Sequence, residues 1–312
     1  MFDVQDLAEK VHKTLHHYLE SVRRSIRAGR FDLRPRLIER PVFIVGCSRA
    51  GTTLVYKTFS ESSRLASLQR ETHDFWARLH PPAERNWDSH VIPPQYANDR
   101  DRQALARLFF IRCGRCDRIV DKNNQNGLSI PYLLALFPQA HFVFVKRNPG
   151  DNIQSLIRGW GKAEEFGDWA AALPVEVAVD GGRYRRWCFF LPPGWRDYTH
   201  SSIEEVCAFQ YAAMNEAIVD ARRLVPKAQW HEIAYESILE DPSATFQSLF
   251  EACGLPFDAR LQRHCQQVLQ RPYNAFSRIG TDKWRQSEDR QRIERVLPGL
   301  ETVATRLGYQ LG

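Results

Sequence analysis

The sequence predicts an α/β fold in which a parallel sheet has helices on both faces. Three short runs of apolar, β-forming residues support this, and helical segments separate each from the next: Pro41–Val45, His141–Val145 and the weaker Gln229–Ile233. Continuous apolar runs are typical of strands that are buried on both faces. Strands that alternate with helices form parallel sheets, because each helical crossover returns the chain to the same end of the sheet.

The chain is long enough for one large domain with a buried core, since 43% of its 312 residues are hydrophobic. We expect a single domain over residues 1–312, with residues 1–40 as an N-terminal helical extension. Residues 160–200 are rich in Gly, Pro and Trp, which indicates an insertion or lid over the edge of the sheet. Stacking on sugar rings and packing in the core both suit its tryptophans, which are Trp160, Trp169, Trp187 and Trp195.

The net charge of +6 and the pI of about 9.0 suit an anionic ligand. The Lys and Arg residues are dispersed among Asp and Glu, so we expect no nucleic-acid partner. The seven cysteines have no repeating spacing, and Cys113 and Cys116 lack the second pair that a zinc site requires. Neither a membrane-length apolar run nor a leader sequence is recognisable, which predicts a cytoplasmic protein.

The segment from Val4 to Arg30 is predicted to be an amphipathic, basic helix. Its apolar positions recur at helical spacing: Leu7, Val11, Leu15, Leu19, Val22 and Ile26. We expect this stripe to pack against the chain's own domain, as most stripes of this kind do. Peripheral contact with an anionic membrane and contact with a partner helix are the alternatives, and the oligomeric state is left open.

A glycine-rich loop, GCSRAGTT from Gly46 to Thr53, follows the first predicted strand and precedes a helical segment. Backbone amides of such a loop converge on an anion at the helix N-terminus. The spacing is that of the P-loop, G-x-x-x-x-G-K-[ST], except that Thr52 occupies the lysine position. A nucleoside triphosphate needs that lysine and Mg²⁺, whereas a ligand with one 5′-phosphate and a sulfate has less charge to balance there. We therefore expect no metal.

The pattern Gly-x-x-Arg-x-Gly-Thr-Thr after a strand resembles the 5′-phosphosulfate loop of the sulfotransferases that use 3′-phosphoadenosine 5′-phosphosulfate (PAPS). The resemblance implies a P-loop-like fold and binding of PAPS by the loop residues Arg49, Ala50, Gly51, Thr52 and Thr53. The superfamily usually has Ser at the position of Ala50, so one hydroxyl contact with the phosphate is missing in this chain.

Later segments extend the resemblance over most of the chain. Arg147, at the end of the second predicted strand, and Ser155, eight residues on, match the superfamily's 3′-phosphate segment. Tyr235 begins the sequence YESILEDP, which looks like the Y-E-D-L…P stretch near the adenine. Lys283, followed by Trp284, resembles the basic element that closes over the nucleotide and contacts its 3′-phosphate.

The resemblance also implies which groups catalyse the transfer. Many cytosolic relatives have Lys-x-His with the histidine as base, but the matching segment here, DKNN, contains Lys122 and no histidine. Tyrosylprotein-type and other Golgi-type relatives use a glutamate roughly twenty residues after the loop arginine, and Glu71 lies 22 residues after Arg49. We expect Glu71, or His73 two residues on, to take the acceptor's proton. Arg49 and Lys122 would stabilise the bridging oxygen of the departing 3′,5′-adenosine bisphosphate.

The sequence therefore predicts an enzyme that moves a sulfuryl group from PAPS to an acceptor hydroxyl by in-line displacement. The glutamate base places the chain closer to the Golgi-type and bacterial enzymes than to the cytosolic histidine-base group. This favours a glycan, a glycolipid or another lipid-linked alcohol as acceptor. A P-loop kinase or NTPase and a non-catalytic nucleotide-binding protein are the alternatives. The missing loop lysine argues against the first, and the presence of Arg49, Lys122 and a carboxylate argues against the second.

Overall fold

The computed structural model describes residues 4–162, 172–270 and 280–311, with the backbone alone for residues 4–11 and 13. Its sheet has four parallel strands in the order β2-β1-β3-β4. The strands are β1 (Val42–Val45), β2 (Val120–Lys122), β3 (His141–Lys146) and β4 (Trp230–Ala234).

Helices precede, connect and follow the strands. Those of six residues or more are α1 (Val4–Leu33), α2 (Thr52–Ser60), α3 (His73–Leu79), α4 (Asp99–Cys113), α5 (Ile130–Leu136), α6 (Pro149–Trp160), α7 (Ile203–Ala221), α8 (Tyr235–Glu240), α9 (Pro242–Ala252), α10 (Ala259–Gln267), α11 (Arg290–Val296) and α12 (Glu301–Arg306). Shorter helical turns are Pro82–Arg85, Pro94–Tyr96, Asn126–Ser129, Val179–Gly182, Trp195–Tyr198, Arg222–Leu224, Lys227–Gln229, Lys283–Gln286 and Leu297–Leu300.

The sheet is buried on both faces, which confirms the predicted fold class. Phe43 and Val45 of β1 belong to a hydrophobic cluster with residues of α5, α6 and α7. The alternate residues Val42 and Ile44 belong to a second cluster, with residues of α2, α9 and α10. Because side chains of a strand point alternately to its two faces, both faces need apolar residues and the strand is apolar throughout.

The three predicted strands are present with ends that differ by about one residue, but β2 was not predicted. Its sequence is VDK, so it lacks the apolar run by which the other strands are recognised. Asp121 and Lys122 are nevertheless 0% and 5% exposed. The strand is defined by its parallel pairing with β1, which pairs Ile44 with Lys122.

The expectation that the apolar stripe of α1 packs against its own domain is wrong for the residues whose side chains are described. Four of these side chains are well exposed: Leu15 (55%), Leu19 (47%), Val22 (39%) and Ile26 (51%). Among the described residues, no helix has the length and apolarity that crossing a membrane requires.

The tryptophans of segment 160–200 that the structure describes belong to the core. Trp160, Trp187 and Trp195 are fully buried. Trp187 makes edge-to-face contacts with both of the others, at centroid distances of 5.5 and 5.4 Å. Of the two predicted roles, sugar stacking and core packing, these three tryptophans have the second. Trp169 lies outside the described residues. The assignment of the segment as an insertion or lid stays a prediction.

The loop between β1 and α2 requires glycine at its last position. Gly51 has a left-handed backbone with φ of 100° and precedes the first residue of α2. A Cβ on Gly51 would lie 2.3 Å from Cδ2 of Tyr235, the first residue after β4. The Tyr235 ring therefore packs directly on the loop backbone, and no side chain fits between them.

We expect Gly51→Ala to lower the free energy of unfolding by about 2 kcal/mol or more, through the strained φ and the clash with Tyr235. Gly29→Ala is the matched control, because Gly29 lies in α1 and a Cβ added there would meet no heavy atom within 4 Å. That change should raise the free energy of unfolding by up to about 1 kcal/mol, since alanine favours helix. Urea unfolding measures both, and equal stabilities of the two variants would contradict the packing.

Candidate active site

Residues of the predicted site lie where the strands end. β1 leads into Gly46 and the phosphate loop, and β2 ends at Lys122. Arg147 follows β3, and Tyr235 follows β4. Parallel strands have their carboxyl ends at the same edge of the sheet, so four segments far apart in sequence meet there.

The two predicted phosphate segments contact each other directly. Nη1 of Arg147 donates to the carbonyl oxygen of Arg49 (2.8 Å), and Nε of Arg49 donates to Oγ of Ser155 (3.3 Å). Asn152 on α6 donates to the carbonyl oxygen of Ser48 (2.9 Å) and so fixes the loop from the other side. Hydrogen bonds therefore hold the loop against α6, and the side chains of Arg49 and Arg147 both lie at this contact.

Tyr235 packs between the loop and Arg147, the residue after β3. The guanidinium carbon of Arg147 lies 4.6 Å from the centre of the Tyr235 ring, within the range of a cation–π contact. Burial raises the pKa of the Tyr235 hydroxyl, so this residue is neutral at physiological pH.

Lys283 is positioned by a carboxylate of α6. Oδ2 of Asp151 accepts from the N–H of Asp282 (2.7 Å), and Oδ1 accepts from the N–H of Trp284 (3.2 Å). Burial, and after it the positive charge of Arg147, lower the pKa of Lys283. The positive charges of Lys283 and Arg147 repel each other, and a bound anion would relieve this repulsion.

Lys122 and Glu71, predicted from separate parts of the sequence, form an ion pair. Nζ of Lys122 lies 2.5 Å from Oε1 of Glu71 and 3.4 Å from Oγ1 of Thr53 in the phosphate loop. The Lys122 side chain is 6% exposed and that of Glu71 is 31% exposed. Burial acts to raise the pKa of Glu71, but the charge and hydrogen bond of Lys122, assisted by the charge of His73, outweigh it and lower this pKa.

His73, the alternative base, is placed differently. Its side chain is 47% exposed, and its Nε2 lies 3.1 Å from Oδ1 of Asp74. Of the two predicted bases, Glu71 is the one that contacts Lys122 and, through it, the phosphate loop.

Sequence reasoning missed the residues that hold Glu71 in place. Thr72 donates to Oδ2 of Asp121 (3.0 Å), and Asn126 donates to the same oxygen (3.1 Å). Burial raises the pKa of Asp121 to about 6 in spite of these hydrogen bonds. Asp121 thus links β2 to the residue next to Glu71. Its only sequence signal is its position beside Lys122, which does not distinguish it from a surface aspartate.

Within the part of the chain that the structure describes, one cluster outside this site has metal-binding side chains. Ligand atoms of His141, His231 and Cys253 lie within 4.8 Å of one another. Arg40 donates to Nε2 of His141, so Nδ1 carries the proton and donates to Nε2 of His231 (2.9 Å). Burial and the charges of His231, Arg118 and Arg40 lower the pKa of His141 to about 4. Two neighbouring guanidinium groups oppose a further cation, and we assign no metal there.

The model of the family described as "Sulfotransferase family" matches residues 41–173 and 174–259, which is more than half of the chain. The omega-hydroxy-beta-dihydromenaquinone-9 sulfotransferase of Mycobacterium bovis is 21% identical over 290 residues, covering 75% of this chain and 68% of its own length. An uncharacterized protein of Aquifex aeolicus is 22% identical over 275 residues, covering 80% of this chain and 31% of its own length.

Among solved structures, the sulfotransferase domain from the curacin biosynthetic pathway is similar in fold, with a TM-score of 0.50 and 15% identity. The likeness covers 89% of this chain and 100% of that domain. It agrees with the predicted fold. The family match includes the phosphate loop, Glu71, Lys122, Arg147 and Tyr235, and it confirms the predicted enzyme class: the chain belongs to the sulfotransferase family.

Proposed function

We propose that the protein transfers a sulfuryl group from PAPS to the hydroxyl of a lipid-linked alcohol, with Glu71 as the base. The observation that supports this most directly is the position of Lys122. Its Nζ contacts both the Glu71 carboxylate and the Thr53 hydroxyl of the phosphate loop. One lysine thus lies between the group that would take the acceptor's proton and the loop that would hold the donor.

The residues at the sheet edge fit PAPS as the donor. The loop precedes the nine-residue α2, whose N-terminal amides favour an anion, and Gly51 lets the Tyr235 ring pack directly on the loop. Arg49 would hold the 5′-phosphosulfate, while Arg147, Ser155 and Lys283 would hold the 3′-phosphate. Arginine is suited to this role because its N–H groups form paired hydrogen bonds with phosphate oxygens. Bound PAPS supplies the sulfuryl group.

The reaction is a single in-line displacement. Glu71 takes the proton of the acceptor hydroxyl as its oxygen forms the new bond to sulfur. The bond from sulfur to the bridging oxygen breaks, and its electron pair stays on the phosphate of 3′,5′-adenosine bisphosphate. Arg49 and Lys122 stabilise the charge that grows on this oxygen.

The ion pair also regulates the strength of the base. While Lys122 is paired with Glu71, the pKa of Glu71 is lowered and the carboxylate is ionised but weakly basic. A donor that drew part of the charge of Lys122 away from Glu71 would weaken this lowering of the pKa and make Glu71 a stronger base.

The acceptor class is argued from the relatives and from the base. The mycobacterial relative is named for a hydroxylated menaquinone, which is a lipid alcohol. A glycan or glycolipid hydroxyl has the same chemistry, but burial of Trp160, Trp187 and Trp195 removes these three rings as surfaces for sugar stacking. The pKa of an aliphatic alcohol is far above that of a phenol, so its oxygen needs a positioned base.

The proposal is tested with purified protein, sulfur-labelled PAPS and a bacterial lipid extract beside the water-soluble fraction of the same cells. We expect label to enter the lipid fraction. Glu71→Gln should lower the transfer rate about 10²-fold or more while 3′,5′-adenosine bisphosphate still binds. The control His73→Gln should stay within about threefold, because His73 does not contact Lys122.

Label confined to the water-soluble fraction would contradict the lipid acceptor and leave the donor assignment intact. Near-normal transfer by Glu71→Gln would contradict its role as base.

A second prediction concerns pH. In the wild type, the acid limb of kcat/KM for PAPS, which reports the enzyme before the donor binds, should lie below 4.5, the ordinary value for a glutamate, because Lys122 lowers the pKa of Glu71. In Lys122→Met, burial is no longer outweighed and raises this pKa, so the limb should move to higher pH. The rate at neutral pH should fall about 10²-fold, because the leaving oxygen loses a cation. The control Lys227→Met, at an exposed position, should leave the pH profile unchanged. An acid limb that does not shift in Lys122→Met would contradict the effect of Lys122 on the pKa of Glu71.

A further inference from the structure

The apolar face of α1 has no contact with the rest of the described chain that would bury it. Along the part of α1 whose side chains are described, the exposed apolar residues are Leu15 (55%), Tyr18 (65%), Leu19 (47%), Val22 (39%) and Ile26 (51%). Residues three and four positions apart share one face of a helix, so these five side chains form a continuous stripe. Leu33 (89%), the last residue of α1, and Leu37 (65%), beyond its end, extend the exposed apolar surface.

α1 is attached to its domain by the opposite face, through the buried ring of Phe31, which lies 5.8 Å from that of Phe110 in α4, and through polar side chains. Arg27 donates through Nη1 to the carbonyl oxygens of Ile111 and Arg112 in α4, at 3.1 Å each. Asp32 accepts from Nε of Arg107 in the same helix (2.9 Å). An amphipathic helix of a globular protein ordinarily buries its apolar face against the core. Here the stripe from Leu15 to Ile26 points away from the domain, so it is available to a partner.

The charge of this segment indicates which partner fits. Residues 14–37 contain two carboxylates and six arginines: Arg23, Arg24, Arg27, Arg30, Arg34 and Arg36. Both carboxylates already accept from arginine, Glu20 from Arg23 and Asp32 from Arg107. A second copy of the chain would bring the same excess of arginine against itself. An anionic lipid surface offers negative headgroups to the arginines and acyl chains to the apolar stripe.

We propose that α1 is an interfacial anchor that lies on an anionic phospholipid bilayer with its apolar stripe inserted between the headgroups. Binding of this kind combines burial of apolar side chains with attraction of basic residues to anionic lipid, and each contribution can be removed separately. Such binding does not require sulfuryl transfer. It can therefore be measured without PAPS and without an acceptor.

The experiment is co-sedimentation of the full-length protein with vesicles of phosphatidylcholine, with and without phosphatidylglycerol. The apolar variant is Leu15→Gln, Leu19→Gln and Ile26→Gln together. Its matched control makes the same change at exposed polar positions of α1: Thr14→Gln, Ser21→Gln and Ser25→Gln. The charge variant, Arg30→Gln with Arg34→Gln, leaves the apolar stripe intact.

We expect the wild type and the matched control to bind vesicles that contain phosphatidylglycerol. Their partition constants should exceed those of the apolar and charge variants by about tenfold. The charge variant keeps the test valid if the apolar variant has a lower helix content by circular dichroism. Wild-type protein that ignores anionic vesicles, or equal binding by all four proteins, would overturn the proposal. So would a wild-type dimer in analytical ultracentrifugation that the apolar variant converts to a monomer, because a second copy would then cover the stripe.

Discussion

Arg147 connects the elements on which the site depends. Its Nη1 donates to the Arg49 carbonyl in the loop after β1, and its guanidinium group lies over Tyr235 after β4. Its own carbonyl oxygen accepts from the hydroxyl of Tyr211 on α7 (3.0 Å). The residue is only 7% exposed, and a buried guanidinium is costly unless it is well paired. An anion bound beside Arg147 would offset that cost, so the same residue stabilises the loop and favours the donor.

Lys122 and Glu71, the proposed catalytic pair, have a similar double role. Lys122 lowers the pKa of Glu71, which keeps the carboxylate ionised, but an ionised carboxylate of low pKa is a weak base. A lysine that also contacts Thr53 can move part of its charge toward the leaving oxygen. In the proposed mechanism, donor binding and activation of the base are parts of one electrostatic change.

The segments of the proposed donor site could be recognised in the sequence, because their motifs are short and local. The phosphate loop from Gly46 to Thr53 follows an apolar strand, and Arg147 and Ser155 lie eight residues apart. The structure adds the contacts between these segments, such as the bond from Arg49 to Ser155. Such contacts depend on the parallel order of strands that are distant in sequence.

Other features could not be predicted because they depend on the tertiary environment. β2 has no apolar run, and the role of Asp121 becomes visible only when Thr72 donates to it. Asp151, which fixes the backbone on both sides of Lys283, resembles an ordinary residue in the first turn of a helix. Helical periodicity identified the apolar stripe of α1 but gave no information on which face contacts the domain, and that orientation proved to be the reverse of the expected one.

Recognition of a 3′-phosphate by Arg147 and its neighbours is the central claim, and one calorimetric titration tests it directly. The protein is titrated with 3′,5′-adenosine bisphosphate and with adenosine 5′-monophosphate in the presence of a metal chelator. We predict that the bisphosphate binds at least about tenfold more tightly, because it adds charge-assisted hydrogen bonds to arginine. Equal affinities, or binding that requires Mg²⁺ and favours ATP, would contradict this claim.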